Sequence, residues 1–459
     1  MKPADLLVIT SYPLQGQTHG KGTVGIASYA KNTVNGIQNS KFKVQSLKIV
    51  VLAEQLNNKK EIYQEEGIEV KRVWKRKSFF VYLSLLKEIY FSKTENILLE
   101  FELSMFGGML SVIQFPLFLL LTKLFKKRVI IVFHQVISDI KDFNGYLGTP
   151  RGGLKAILYN FLIGSFYGMA LNFSYKAVVF DEFLKEKLVY FGNPNKITVI
   201  PHGVEDQFKV QSSKFKVKNE EERRILGIKE NEFVILCFGF IAGYKGTDWI
   251  VNQFKVQSSK LKVKLIIAGG ENPNHVNNKI YMDYVEKIKQ EAESSNGQII
   301  VTGFVKEEKI PLYFKASDLV VFPYKTLMSA SGPLSLAFSF GKPFLVSEKM
   351  RDIFKTKDLY KLLTKHKLKE DELIFSFENQ SLEEKIKSFQ NRDFLLKVEN
   401  LSKDLAKTRS FEKIGEEYVS VLFSDGSCHS SAPKFTHFAN KRGDPFWGAP
   451  TRVTHQDEV

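Results

Sequence analysis

From residue 6 onward the chain alternates short apolar runs with stretches of helical period, and it does so twice. Residues 6–10, 48–53, 69–74, 97–102, 129–133, 177–180 and 197–200 read as strands, with helical periods such as 26–37 between most of them. A second series runs through strands at 233–238, 265–268, 299–302, 319–322 and 344–346, with a helix over 281–293. This alternation builds parallel βαβ units. The expected fold class is therefore α/β, with two Rossmann-like doubly wound parallel-sheet domains facing a cleft. A ligand belongs in that cleft, at the carboxyl ends of the strands. The expected division is a first domain over 1–205, a linker over 206–230 and a second domain over 231–400. A closing helix over 401–423 and a disordered tail over 424–459 complete it.

A chain of 459 residues suits two cores rather than one. Its two cysteines, Cys237 and Cys428, exclude a disulfide framework and a cysteine-based metal site, which fits a reducing cytoplasmic setting. Met1 to Asp5 lead directly into the first strand without a signal-peptide pattern. Residues 106–125 approach membrane-spanning length, but Gly107, Gly108, Gln114, Pro116 and Lys123 interrupt them, and a buried or interface-lying helix is expected there. The formal charge of +16 points towards nucleic acid until its distribution is considered. Three near-copies of one lysine-rich segment, at 39–48, 208–218 and 254–264, hold eleven of the sixteen excess charges. Their spacing is irregular, so they read as inserted repetitive sequence rather than solenoid units, and nucleic acid is not an expected partner.

Within the second series, the apolar run 234–238 ends in a loop bounded by Gly239 and Gly246 that holds a single cation, Lys245. Residues 247–251 then open a helix. A strand, a glycine turn and a helix start place backbone N–H groups and the positive end of a helix dipole together, and a lysine there suits a phosphate-bearing ligand. Ser331 reads as a helix cap with Gly332, Pro333 and Leu334 in the first turn, a second source of amides. Gly20-x-Gly22-x-x-Gly25 has dinucleotide-fingerprint spacing but lies about ten residues beyond its strand, too far for that role.

Jointly, several segments resemble a GT-B glycosyltransferase of the large retaining family 4, over about residues 5–423 apart from the repeats. Tyr12-Pro13 with Gly22-Thr23-Val24-Gly25-Ile26-Ala27-Ser28-Tyr29-Ala30 resembles the family's first glycine loop. Leu99-Glu100-Phe101-Glu102 and Ile131-Val132-Phe133-His134 resemble strands ending at the acceptor side of the cleft. Pro201-His202-Gly203-Val204 resembles the interdomain passage, and Phe238-Gly239 with Tyr244-Lys245-Gly246 resembles the donor-phosphate loop. Gly303-Phe304-Val305 and 316–323 resemble the strands before the nucleotide-sugar pocket.

The resemblance implies transfer of a hexosyl unit from a nucleoside diphosphate sugar, as co-substrate, to a glycan or lipid-linked acceptor, with no further cofactor and no metal. His134 and Lys245 are the implied catalytic residues. Gly22, Gly25, Gly239, Lys245, Gly246, Ser331, Gly332, Pro333 and Leu334 are the implied donor site, and Glu102, His134 and His202 are the acceptor-side candidates. Glu100 and Glu102 alternate with Leu99 and Phe101, and each reads as a solvated or paired strand residue more readily than as an acceptor contact. Basic stretches at 123–128 and 361–369 are compatible with peripheral contact at the inner, anionic face of a membrane. The chain departs from the family where two glutamates usually stand, having Met328 and Leu336 in their places, and Phe240 lies close to the place of a usual arginine. A catalytically inactive nucleotide-sugar-binding protein of the same fold is the alternative.

Overall fold

The computed structural model describes residues 4–18, 26–41, 47–56, 59–139, 153–205, 220–257, 263–272, 275–327, 330–378 and 380–424. The first domain holds β1 (Leu6–Ile9), β2 (Ile49–Glu54), β3 (Glu61–Glu65), β4 (Ile68–Trp74), β5 (Asn96–Phe101), β6 (Arg128–Phe133), β7 (Lys176–Val179) and β8 (Ile197–Val199). Its helices are α1 (Ile26–Gln38), α2 (Val81–Ser92), α3 (Met109–Leu124), α4 (Leu154–Phe173) and α5 (Glu182–Val189). The sheet order is β3-β4-β2-β1-β5-β6-β7-β8, parallel throughout except for β3, which runs antiparallel on β4. Strand order reverses between β1 and β5, so the switch-point crevice opens at their carboxyl ends. Right-handed crossovers put α2, α3, α4 and α5 on one face of the sheet and α1 on the other.

The second domain holds α6 (Glu220–Ile225), β9 (Phe233–Phe238), α7 (Thr247–Gln257), β10 (Val263–Ala268), α8 (Lys279–Glu293), β11 (Ile299–Val301), α9 (Ile310–Ala316) and β12 (Leu319–Phe322). It continues through α10 (Gly332–Ser339), β13 (Phe344–Ser347), α11 (Lys357–His366), β14 (Ile374–Phe375), α12 (Ser381–Phe389) and α13 (Arg392–Thr408), before α14 (Phe411–Phe423). Its six parallel strands are ordered β11-β10-β9-β12-β13-β14, with the switch point between β9 and β12. The central strands β9, β10, β12 and β13 are rich in valine, isoleucine, leucine and phenylalanine because both of their faces are covered.

The structure differs from the sequence expectation at four places. β3 is an added antiparallel edge, so the first sheet is not wholly parallel. The segment expected as one closing helix is two: α13 packs in the second core through Val398, Leu401 and Leu405, and α14 returns to the first through Phe411, Ile414 and Tyr418. The third lysine-rich copy is not a plain insertion. Phe254 on α7 is buried in the second core, and Val263 and Lys264 pair with Phe233 and Val234 as the start of β10. Among the described residues the one helix long and apolar enough to cross a membrane is α4, whereas the membrane-length candidate of the sequence, 106–125, yields the 16-residue α3 between β5 and β6.

The chain leaves the first domain after β8 and comes back at Arg409–Ser410, and the two crossings lie side by side. The Val204 amide donates to Arg409 O at 2.7 Å, and Val204 bridges Ser410. The Arg409 guanidinium forks onto Asp358 at 2.6 and 2.9 Å and also reaches Thr356 Oγ1. Close packing then seats α14 on α1. A Cβ on Gly415 would come 2.1 Å from Gly36 C, and one on Gly36 would come 2.0 Å from Phe411 O.

Burial opposes ionisation of Asp358, but the Arg409 guanidinium outweighs it and holds the carboxyl below the usual carboxylate range. Removing one member leaves a largely desolvated charge unpaired. Asp358→Asn should therefore lower the unfolding free energy by about 3–5 kcal/mol at neutral pH, read by denaturant titration. A depressed carboxylate pKa stabilises above its unfolded value and stops doing so as pH falls through the folded one. The gap between the wild-type chain and Asp358→Asn should accordingly close in acid.

Candidate functional site

The loop after β9 has the form the phosphate argument requires, with one change of role. Residues Gly243–Lys245 make a 3-10 turn that Gly246 ends in the left-handed region at φ 68°. A Cβ at Gly246 would fall 1.9 Å from Pro323 O, so only glycine lets the loop close against the end of β12. Gly239, at φ 111°, would place a Cβ 2.6 Å from Lys245 Nζ. The Lys245 and Gly246 amides, expected to face a ligand, are engaged inside the turn with Ala242 O and Gly243 O. Gly239 and Gly246 thus shape the loop, and its side-chain cation carries the polarity.

Lys245 is partly buried, and among the described residues no carboxylate pairs with it. Burial alone lowers its pKa from 10.5 to about 8. Its Nζ lies 5.9 Å from the ring centroids of both Tyr244 and Tyr324, close enough for cation–π attraction. Two adjoining hollows share Lys245 and Tyr324. One is lined by Gly239, Phe240 and Pro323, the other by Ser331, Gly332 and Pro333.

Ser331 caps α10. Its Oγ accepts from the Leu334 amide at 3.3 Å and lies 3.3 Å from Tyr324 Oη. The cap takes the Leu334 amide and leaves the Gly332 amide, since Pro333 has none. Leu334 itself is buried in the second core and contributes packing rather than a polar contact. Leu336 is buried there too, so no carboxylate rises from that turn of α10. Phe240 stands at the end of β9 and stacks on Phe304, with centroids 6.4 Å apart. Gly22, Gly25 and Met328 lie outside the described residues.

Across the crevice, β5 and β6 bring Glu100 and His134 together. Glu100 is fully buried, and its Oε2 is 2.7 Å from His134 Nε2. The carboxylate fixes the proton on Nε2 and leaves Nδ1 without a hydrogen-bond partner among the described residues. Tyr29 and Phe180 pack edge-on against the imidazole at 5.0 and 4.9 Å. Tyr29 Oη also meets Tyr418 Oη at 3.0 Å, tying this wall to α14.

His202 joins the two domains. Its Nδ1 lies 2.8 Å from both Gly203 O and Ser335 Oγ on α10, and the carbonyl requires the proton on Nδ1. Burial lowers its pKa to about 3, so the ring is neutral and serves as a fixed bridge. Glu102 is drawn into a local turn, accepting from Ser104 Oγ at 2.9 Å. The structure thus gathers His134, Glu100, His202 and Ser335 on one side, and Lys245, Tyr324, Ser331 and Gly332 on the other. Sequence reasoning missed Ser335 and Tyr324, and placed Tyr29 only within the first glycine-loop segment, because nothing in the local pattern of a serine or tyrosine reports a partner many residues away.

Residues 218–358 match the family described as glycosyl transferases group 1. An uncharacterized glycosyltransferase of Methanocaldococcus jannaschii is 25% identical over 178 residues, which are 38% of this chain and 42% of that protein. The chain thus matches less than half of that relative's length. Among solved structures, sucrose-phosphate synthase from Thermosynechococcus elongatus superposes with a TM-score of 0.66 at 12% identity, over 92% of this chain and 98% of the other. HepE of Anabaena in complex with UDP-glucose superposes with a TM-score of 0.59 at 12% identity, over 91% and 99%. The fold is that of the GT-B glycosyltransferases, and its second domain carries the group 1 region.

Lys245→Ala should weaken binding of a nucleoside diphosphate about 10- to 100-fold, the worth of one charge-assisted contact, as read by isothermal titration. Only the protonated amine attracts phosphate. Wild-type affinity should therefore fall as pH rises above about 8, with proton uptake on binding, and Lys245→Ala should flatten that profile.

Proposed function

We propose that the protein is a retaining, family 4-like glycosyltransferase that moves a hexosyl unit from a nucleoside diphosphate sugar to a glycan or lipid-linked acceptor. The observation that carries this proposal is Lys245, a partly buried cation with no carboxylate partner among the described residues, set in the glycine-closed loop at the second switch point. The group 1 match over this region and the UDP-glucose complex of HepE support it.

In the proposed reaction the bond between the sugar's anomeric carbon and the leaving phosphate oxygen breaks. The acceptor oxygen bonds to the same face of that carbon. The acceptor hydroxyl proton passes to the leaving phosphate, so no protein base is required. Lys245 Nζ and the Gly332 amide would stabilise the charge that grows on the diphosphate, the kind of term that lowers such barriers most. His134, oriented by Glu100, would hold a sugar hydroxyl through Nδ1. No metal or cofactor takes part in this scheme. Work on a lipid-linked acceptor would place the protein at the cytoplasmic, anionic face of a membrane.

A nucleotide-sugar-binding protein without turnover is the second proposal, favoured by the buried Leu336 where a carboxylate would be expected. Incubation with a set of nucleotide sugars, UDP-glucose first, separates the two. The enzyme should show a raised melting temperature with one donor and release of its nucleoside diphosphate, and His134→Ala should lower that release while retaining the thermal shift. A thermal shift with no nucleoside diphosphate under any acceptor would favour the silent protein.

A further inference from the structure

Most large hydrophobic side chains that stand exposed among the described residues fall on α2, α3, α4 and their ends. They follow helical spacing. On α3 the exposed stripe is Leu110, Ile113, Leu117 and Leu124, while Phe115, Phe118 and Leu119 face the core. On α4 it is Leu154, Ile157, Leu158 and Phe161, opposite buried Phe166, Tyr167 and Ala170. On α2 and its leading turn it is Phe80, Leu83, Tyr90 and Phe91. Both sides of each helix are therefore apolar, which a helix covered on one side only does not need. α2 packs on α3 and α3 on α4, so the three stripes share one layer. Such a surface is far larger than the scattered apolar residues of an ordinary soluble protein.

The charge on this layer is one-sided. α3 and α4 contain Lys123 and Lys155 and no aspartate or glutamate, and Lys126 and Lys127 follow α3 directly. Exposed Lys87 lies on α2 and exposed Lys93 just beyond it; Glu88 is the single acid of α2, and Glu95 follows Lys93 near Lys127. Lys127 and Lys123 also donate to Thr94 O and Asn172 O, which holds cations at the carboxyl ends of the helices. In parallel βαβ units the helix amino ends lie at the cleft side of the sheet. The apolar stripes therefore run from the cleft rim back to a lysine-bearing edge.

We propose that the outer face of α2, α3 and α4 inserts into the interfacial layer of an anionic lipid bilayer, with the lysines among the headgroups. The inference deepens the membrane contact of the proposed function and rests on that contact, not on the donor chemistry. Apolar and aromatic side chains with rim lysines and almost no acids fit such an interface, whereas a protein partner would leave these cations without carboxylates. α4 is long and apolar enough to cross a membrane, but it lies on the bilayer instead. Spanning would pull Phe166 and Tyr167 out of the core, and Tyr167 Oη accepts from the Ile137 amide at 3.1 Å.

The test is flotation of the full chain with phosphatidylcholine vesicles, with and without phosphatidylglycerol. The chain should float with the anionic vesicles, and Ile113→Glu with Phe161→Glu should weaken partition about a hundredfold. Both positions are exposed, at 68% and 69%, so folding and UDP-glucose turnover should be unchanged. Lys126→Glu with Lys155→Glu provides a second variant pair and should also lower partition. Absence of flotation, or equal flotation of the glutamate pair, overturns insertion. So does a wild-type dimer in light scattering that the pair turns monomeric without any vesicle binding, since a second copy would then cover the face. Vesicle binding without turnover supports this inference while overturning the donor assignment, and turnover without vesicle binding does the reverse.

Discussion

The paired crossing at Val204 and Arg409 is the constraint on which the rest of the architecture depends. Each Rossmann-like sheet has its own core and its own switch point, and neither needs the other to fold its strands. A site between them exists only if the two carboxyl edges are held opposite each other. A backbone hydrogen bond and a buried ion pair contribute to this where the chain passes and returns. Two residues before Val204, His202 reaches α10 through Ser335, and just beyond Ser410, α14 locks onto α1 through glycine contacts. The wall at Tyr29 and His134 is thus linked to the same crossing through Tyr418.

The electrostatics of the site follow from that geometry. Glu100 is a fully buried carboxylate, yet it faces His134, so its ionised form has a partner. Lys245 on the opposite wall is the reverse case, a cation lowered in pKa by burial with no compensating acid among the described residues. A buried charge without a partner costs stability, and the counter-charge of the proposed ligand would offset that cost. In the proposed reaction the histidine on one wall would face the sugar, and the ammonium on the other, unpaired among the described residues, would face the phosphate.

Much of the architecture was legible because central strands must be apolar on both faces. β1, β9 and β12 show that run unbroken, β5 and β6 show it apart from Asn96, Glu100 and Arg128, and the glycine punctuation after β9 marked its loop. β3 escaped because Glu61–Glu65 is an exposed edge whose side chains pack little, and β14 because two residues carry no period. α4 escaped for the opposite reason. A helix apolar all round has no polar face, and periodicity alone does not separate it from other apolar sequence. The third lysine-rich repeat looked external by composition, yet Phe254 and Val263 are core residues. Composition reports charge, whereas burial depends on which side of an element each residue occupies. Lys245 could be read locally, while the His134–Glu100 and His202–Ser335 contacts are tertiary and have no local signature.

The buried Leu336 limits how such a site can hold its ligand. Where a carboxylate would accept hydroxyl protons from a ribose or sugar, an apolar side chain offers nothing, and the turn of α10 instead contributes its capped amino end. Gly332 at that end, Lys245 beside it and Tyr324 between them all suit an anion more than a hydroxyl-rich sugar. Binding on this side should therefore be dominated by the diphosphate, with sugar discrimination left to the opposite wall, where His134 retains an acceptor nitrogen fixed by Glu100. Recognition would then depend on both walls at once, and hence on the crossing that sets their separation.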